Sequence, residues 1–196
     1  VRRKAIALLA YLATQNQSVG RDTLATLFWP NHGQSEARAN LRRSLSLLNR
    51  AAGQRILLFE QDAVRLDAAS VRVDIDRFHR FAEGCGAHRW DELCENCISS
   101  LQEADALYRN DFLSGFTLPD CRDFDEWQYS KGEQLRGEYI SVLRRLAGAN
   151  EAGGGESTAL GYAMRLVALD PLDETSQRAL MRLFAASGHR TAAIRQ

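Results

Sequence analysis

The sequence predicts a mainly α chain: a helix-turn-helix with a β-hairpin wing, followed by an all-α domain of paired helices. Three observations carry this. The stretch 35–50, SEARANLRRSLSLLNR, places Ala37, Leu41, Leu45 and Leu48 on one apolar stripe at spacings of four and three. It is flanked by a short helical pattern closed by a proline (SVGRDTLATLFWP, 18–30) and by a hairpin pattern (RILLFEQDAVRLD, 55–67). From Val73 onward the apolar spacing is helical almost throughout.

Each element follows from its residues. A first helix is expected over Arg2–Gln15, burying Ile6, Leu9, Leu12 and Ala13. Val19 stands as a lone apolar residue in a turn. Asp22 is the expected N-cap of a helix over Thr23–Trp29, and Pro30 ends it. Ser35 is the expected cap of the third helix, although Arg38 stands where a capping box would place Glu or Gln. Ile56–Glu60 and Ala63–Leu66 are β-prone runs around Gln61-Asp62.

Beyond Val73, helices are expected from Asp74 or Asp76 to near Gly84, over Ile98–Tyr108, over Phe124–Leu146 as one helix or two, over Thr158–Leu169 and over Asp173–Ser187. A last one starts near His189 or Arg190. Glu151–Ser157, with Gly153-Gly154-Gly155, reads as a loop. Leu146 and Leu180 lie 34 residues apart, as do Ala159 and Ala193. Asp170-Pro171 falls where a tetratricopeptide repeat places its proline.

Charge divides the chain. Residues 1–72 carry 11 Lys/Arg against 5 Asp/Glu, and residues 73–196 carry 14 against 20, although the whole is neutral. A basic segment joined to an acidic one fits a nucleic-acid reader coupled to a separate module. The expected domains are therefore 1–72, a winged helix-turn-helix, and 73–196, a helical domain. No stretch approaches the ~20 apolar residues that span a bilayer, and no signal-peptide cleavage site follows Val1-Arg2-Arg3-Lys4. The expected location is cytoplasmic and nucleoid-associated, with no membrane partner.

On the third helix, Arg38, Arg42, Arg43, Ser46, Asn49 and Arg50 point away from the apolar stripe, and these residue types reach phosphates and base edges. A solvated surface face is the plainer reading of such arginines. A second group is Cys85-x-x-His88 followed by Cys94-x-x-Cys97, which has the residue types and local spacing of a structural zinc site. Only five residues separate the two pairs, and Cys121 is a candidate replacement ligand. The alternative is free thiols packed as small hydrophobes. The aromatic set Tyr108, Phe112, Phe116, Phe124, Trp127 and Tyr139 is expected to form core rather than a ligand pocket. Gly153-Gly154-Gly155 lacks the Lys-Ser/Thr of a P-loop, and Asp120, Asp123, Asp125 and Glu126 have no partner nucleophile, so no enzyme is expected.

The segments RRKAIALLAYLA, LATLFWP, EARANLRRSLSLLNR, RVDIDRF, ALYRNDFLSGF, FDEWQ and ALDPLDETSQRALMRLFAASGHRTAAIRQ resemble the antibiotic-regulatory-protein (SARP) class of bacterial transcription activators. That class joins an OmpR-type winged helix to a bacterial transcriptional activator domain with a tetratricopeptide-like fold. The resemblance implies that strands ahead of Val1 are missing and that the helical domain is truncated at Gln196. It implies a sequence-specific DNA-binding activator that recruits RNA polymerase through its helical domain, with a homodimer as a candidate state. Double-stranded DNA would then meet Arg38, Arg42, Arg43 and Ser46 first, with Asn49 and Arg50 next. Arg65 on the hairpin would reach a flanking groove, while Arg2, Arg3 and Lys4 would clamp phosphates. The alternative is a protein-interaction or ligand-sensing helical module of a larger signalling protein. The loop EAGGGES and the cysteine-bearing segment 85–97 depart from the family pattern.

Overall fold

The computed structural model describes residues 2–83, 88 and 92–196. Its elements run α1 (Arg2–Ala13), β1 (Val19–Gly20), α2 (Arg21–Phe28), α3 (Gln34–Ala51), β2 (Leu57–Glu60), β3 (Ala63–Leu66), α4 (Asp74–Glu83), α5 (Glu95–Leu107), α6 (Arg122–Ala152), α7 (Glu156–Leu169), α8 (Glu174–Ala186) and α9 (Arg190–Arg195). The fold is mainly helical, as the sequence predicts.

The chain forms two units, residues 1–75 with 112–132 and residues 76–111 with 133–196. In the first, α3 buries Ala37, Leu41, Leu45 and Leu48, the stripe read from the sequence, and also Ser44. The hairpin β2–β3 pairs in antiparallel register, Leu57 opposite Leu66 and Glu60 opposite Ala63. Val19 is not a lone turn residue: it pairs with Val64, which makes the sheet three-stranded in the order β1-β3-β2. Phe28, Leu118, Cys121 and Phe124 are buried in the same core as Leu8, Leu24 and Val64, so a segment far along the sequence completes this unit.

Three local expectations are corrected. In α1 the buried residues are Ala5, Ala7, Leu8 and Leu12, whereas Ile6 is 53% exposed and Leu9 and Ala13 are only partly covered. The run AIALLAYLA is apolar on every side, so its spacing fixes a helix but not the face that packs. The N-cap of α2 is Gly20, not Asp22. The Arg21 N–H donates to the Asp62 carbonyl at 2.8 Å, so the hairpin turn satisfies an end group of the helix that a capping side chain would otherwise take. The N-cap of α3 is Gly33, not Ser35.

In the second unit, α4 buries Phe78, α5 buries Cys97, Leu101 and Ala104, and α6 contributes Leu135, Tyr139, Val142, Leu143 and Leu146. Helix α6 is continuous to Ala152, so the loop is shorter than Glu151–Ser157, and Gly154 takes a left-handed φ of 75° within it. Ala159 and Ala163 of α7 pack against Leu180 and Leu183 of α8, small residues facing large ones. The two helices flank Asp170-Pro171 as a tetratricopeptide-like pair. Asp173 caps α8, accepting from the Thr175 and Ser176 N–H groups. The aromatic set divides between two cores, with Phe124 buried in the first unit and Tyr139 in the second. There the Tyr108 and Tyr139 rings stack at 3.9 Å, and Tyr139 Oη donates to Asp105 at 2.8 Å.

Candidate nucleic-acid interface

With Leu41, Leu45 and Leu48 turned inward, the 3.6-residue period leaves Arg42, Arg43, Ser46 and Arg50 exposed on α3. None of the three arginine side chains bonds or pairs with a described residue. Beside them lies a groove of about 470 Å³ between α3 and the hairpin, lined by Arg21, Arg42, Ser46, Asn49, Arg50 and Phe59 among others. Phe59 is partly exposed on β2, and the guanidinium groups of Arg21 and Arg55 lie 5.4 and 6.0 Å from its ring centroid. The groove therefore combines fixed positive charge with an apolar wall.

The other expected contacts are more committed. Arg38 donates to both oxygens of Asp22, through Nε and through Nη2 at 2.5 Å, and stands 3.7 Å from Asp62. Its hydrogen bonds hold the Asp22 carboxyl below the usual carboxylate range. Asn49 Oδ1 accepts from the Ile56 N–H at 2.9 Å and so anchors the entry to the hairpin. Arg65 pairs with Glu60 at 2.8 Å. Glu60 also accepts from Ser18 Oγ, and these two bonds, Ser18 first, lower its pKa. Lys4 Nζ donates to the Phe28 carbonyl at 2.5 Å and lies over the Trp29 ring. Arg3 lies over Phe116, and Arg2 is exposed.

The structure thus brings Arg38, Arg42, Ser46, Asn49 and Arg50 to one groove and leaves Arg43, Arg65, Arg2, Arg3 and Lys4 outside its lining. Sequence reasoning missed Arg21, Asp22, Phe59 and Asp62. The pairing of β1 with β3 carries Arg21 to the hairpin turn, and strand alternation sets Phe59 on the same face as buried Leu57, so no sequence signal marked it as exposed.

The Cys/His group lies in the second unit. Cys94 and Cys97 Sγ are 3.3 Å apart, and His88 Nδ1 is 3.0 Å from Cys97 Sγ. Cys85 lies outside the described residues. Cys121 is in the other unit, buried, with its thiol donating to the Phe28 carbonyl at 3.3 Å, and burial pushes its pKa up.

No curated protein sequence matches the chain. Among solved structures, Mycobacterium tuberculosis EmbR in complex with a low-affinity phosphopeptide is similar, with a TM-score of 0.70 and 24% identity over 97% of this chain and 51% of that one. The chain spans about half the length of that protein, and the likeness shows a shared fold. Residues 73–196 match the model of the bacterial transcriptional activator domain. With more than half its length in that match, the chain belongs to the bacterial transcriptional activator domain family.

Proposed function

We propose that residues 1–72 form an OmpR-type winged helix that binds double-stranded DNA in a sequence-specific manner, with α3 in the major groove and the β2–β3 hairpin beside it. The observation that carries this reading is the solvent-facing set Arg42, Arg43, Ser46 and Arg50, of which Arg42, Ser46 and Arg50 line a groove walled by the hairpin. An arginine forks onto guanine, and a serine serves either base edges or phosphates. Arg65 and Arg2 supply backbone contacts at the margins. Arg38 and Asn49 hold the surface in shape.

The remainder of the chain activates transcription by contacting RNA polymerase. Family membership supports this role, as does the acidic balance of residues 73–196, which has no basic stripe for DNA. The decisive experiment is a binding titration on genomic DNA fragments at several salt concentrations. Expected is a subset of fragments bound more tightly than the rest, with affinity falling by a log–log slope of about −0.9 per phosphate engaged. Uniform binding to every fragment would overturn sequence specificity, and no binding at low salt would overturn the interface. In a reconstituted transcription assay, the whole chain bound at a preferred site without raising transcription above that of polymerase alone would remove the polymerase role from the helical domain.

A further inference from the structure

We propose that His88, Cys94 and Cys97 bind a zinc ion that fastens the segment after α4 to the start of α5. The three ligand atoms, His88 Nδ1 and the two Sγ atoms, all lie within 4.8 Å of one another. Cys94 is the N-cap residue of α5 and Cys97 sits in its first turn, so the x-x spacing turns both thiols to the same side. Cys94 makes no capping hydrogen bond, which leaves its sulfur available. His88, from outside the helix, meets them there.

The distances suit a tetrahedral ion. Zn–S bonds of about 2.3 Å and Zn–N bonds of about 2.05 Å imply tetrahedral edges of about 3.8 Å between sulfurs and about 3.6 Å between nitrogen and sulfur. Two of the observed separations, 3.3 and 3.0 Å, lie about half an ångström short of those edges, and the third, between His88 Nδ1 and Cys94 Sγ, is within 4.8 Å. Two thiolates and an imidazole select zinc over magnesium or calcium, which take oxygen ligands. Binding releases the two thiol protons and keeps the imidazole neutral, its proton on Nε2 while Nδ1 coordinates. The fourth position goes to a further side chain or to water. A disulfide is the competing fate of the two cysteines, and both are free thiols.

The site has an exposed side and a buried one. Cys97 is 3% exposed, while His88 and Cys94 reach solvent. Metal bound there contributes directly to the stability of the α4–α5 connection, where Ser100 Oγ of α5 already donates to the Phe81 carbonyl of α4.

The test is elemental analysis of the full 196-residue chain, made without a metal-binding tag and kept reduced, together with a zinc titration against a colorimetric chelator. About one zinc per chain is expected. His88→Ala and Cys94→Ser, both at exposed positions, should each weaken zinc binding at least about 10- to 100-fold, the loss that even an outer-sphere change produces, while circular dichroism stays helical. Cobalt in place of zinc should give the thiolate charge-transfer and tetrahedral ligand-field bands, reduced in each variant. A reduced chain that takes up no zinc on titration overturns the proposal. So does undiminished zinc binding in both variants.

Discussion

Arg38 grips Asp22 through both carboxylate oxygens, joining the first turn of α2 to α3 across 16 residues of sequence. The same guanidinium reaches toward Asp62 in the hairpin turn, whose carbonyl accepts the Arg21 N–H. Three pieces of the proposed DNA-reading surface therefore meet at one arginine. An arginine already forked onto a carboxylate is poorly placed to fork onto guanine as well. In the proposed interface its role is to hold α3 in register with the hairpin.

That role predicts an unusual salt signature. Arg38→Ala should lower affinity for the preferred DNA sites while leaving the slope of log affinity against log salt unchanged, because the lost charge was already neutralised. Asp22→Asn should steepen the slope by about one phosphate equivalent, since it releases a cation. A slope flattened by about one in Arg38→Ala would instead identify Arg38 as a direct phosphate contact.

Arg42→Ala and Arg43→Ala should behave differently from Arg38→Ala. Both side chains are exposed on α3 opposite the buried leucines, so the fold should be unchanged by circular dichroism. A variant that loses a base contact should cost about 1–3 kcal/mol at the preferred site and relax preference at one base position. One that loses a phosphate contact should weaken all sequences alike and flatten the salt slope by about one. Unchanged affinity in both would remove α3 as the reading helix.

Elements with a one-sided pattern were legible in the sequence, and those fixed by partners far along the chain were not. The α3 stripe was readable because Ala37, Leu41, Leu45 and Leu48 are separated mostly by polar residues, Ala39 and Leu47 excepted, so one face is favoured for burial. The hairpin was readable because two β-prone runs bracket Gln61-Asp62, although Gln61 rather than glycine takes the positive φ of 42° at its turn. The pairing of Arg38 was not legible, because nothing local to it reveals Asp22 and Asp62. The 112–132 segment gave no sign of joining the first unit, since Leu118 and Phe124 would suit any apolar core.

The face of α1 offers a direct check on that distinction. Leu8 is fully buried and Ile6 is 53% exposed, although both stand in the same apolar run. Leu8→Ala should destabilise the protein by about 2–5 kcal/mol, the cost of removing a buried leucine side chain with incomplete collapse. Ile6→Ala should change stability by less than about 0.5 kcal/mol, as surface substitutions do. Urea unfolding of the two variants measures the contrast. Equal losses would mean that Ile6 packs against something.

The last prediction concerns the second unit and acid. Asp173 accepts hydrogen bonds from Ser176 Oγ, from the Thr175 and Ser176 N–H groups, and from Arg144 at 2.8 Å. These partners, the Ser176 hydroxyl first and Arg144 next, lower its pKa from 3.8 to about 2. Because the folded-state value is depressed, the carboxylate stabilises the fold in full above the ordinary value of 3.8. That contribution declines as pH falls below 3.8 and is gone once pH has passed below about 2. Asp173→Ala should cost about 1 kcal/mol at neutral pH through the lost helix cap, seen as faster hydrogen exchange along α8. The gap between wild type and variant should narrow as pH is lowered across that window. A gap independent of pH would show that the carboxylate's charge contributes nothing to holding the start of α8.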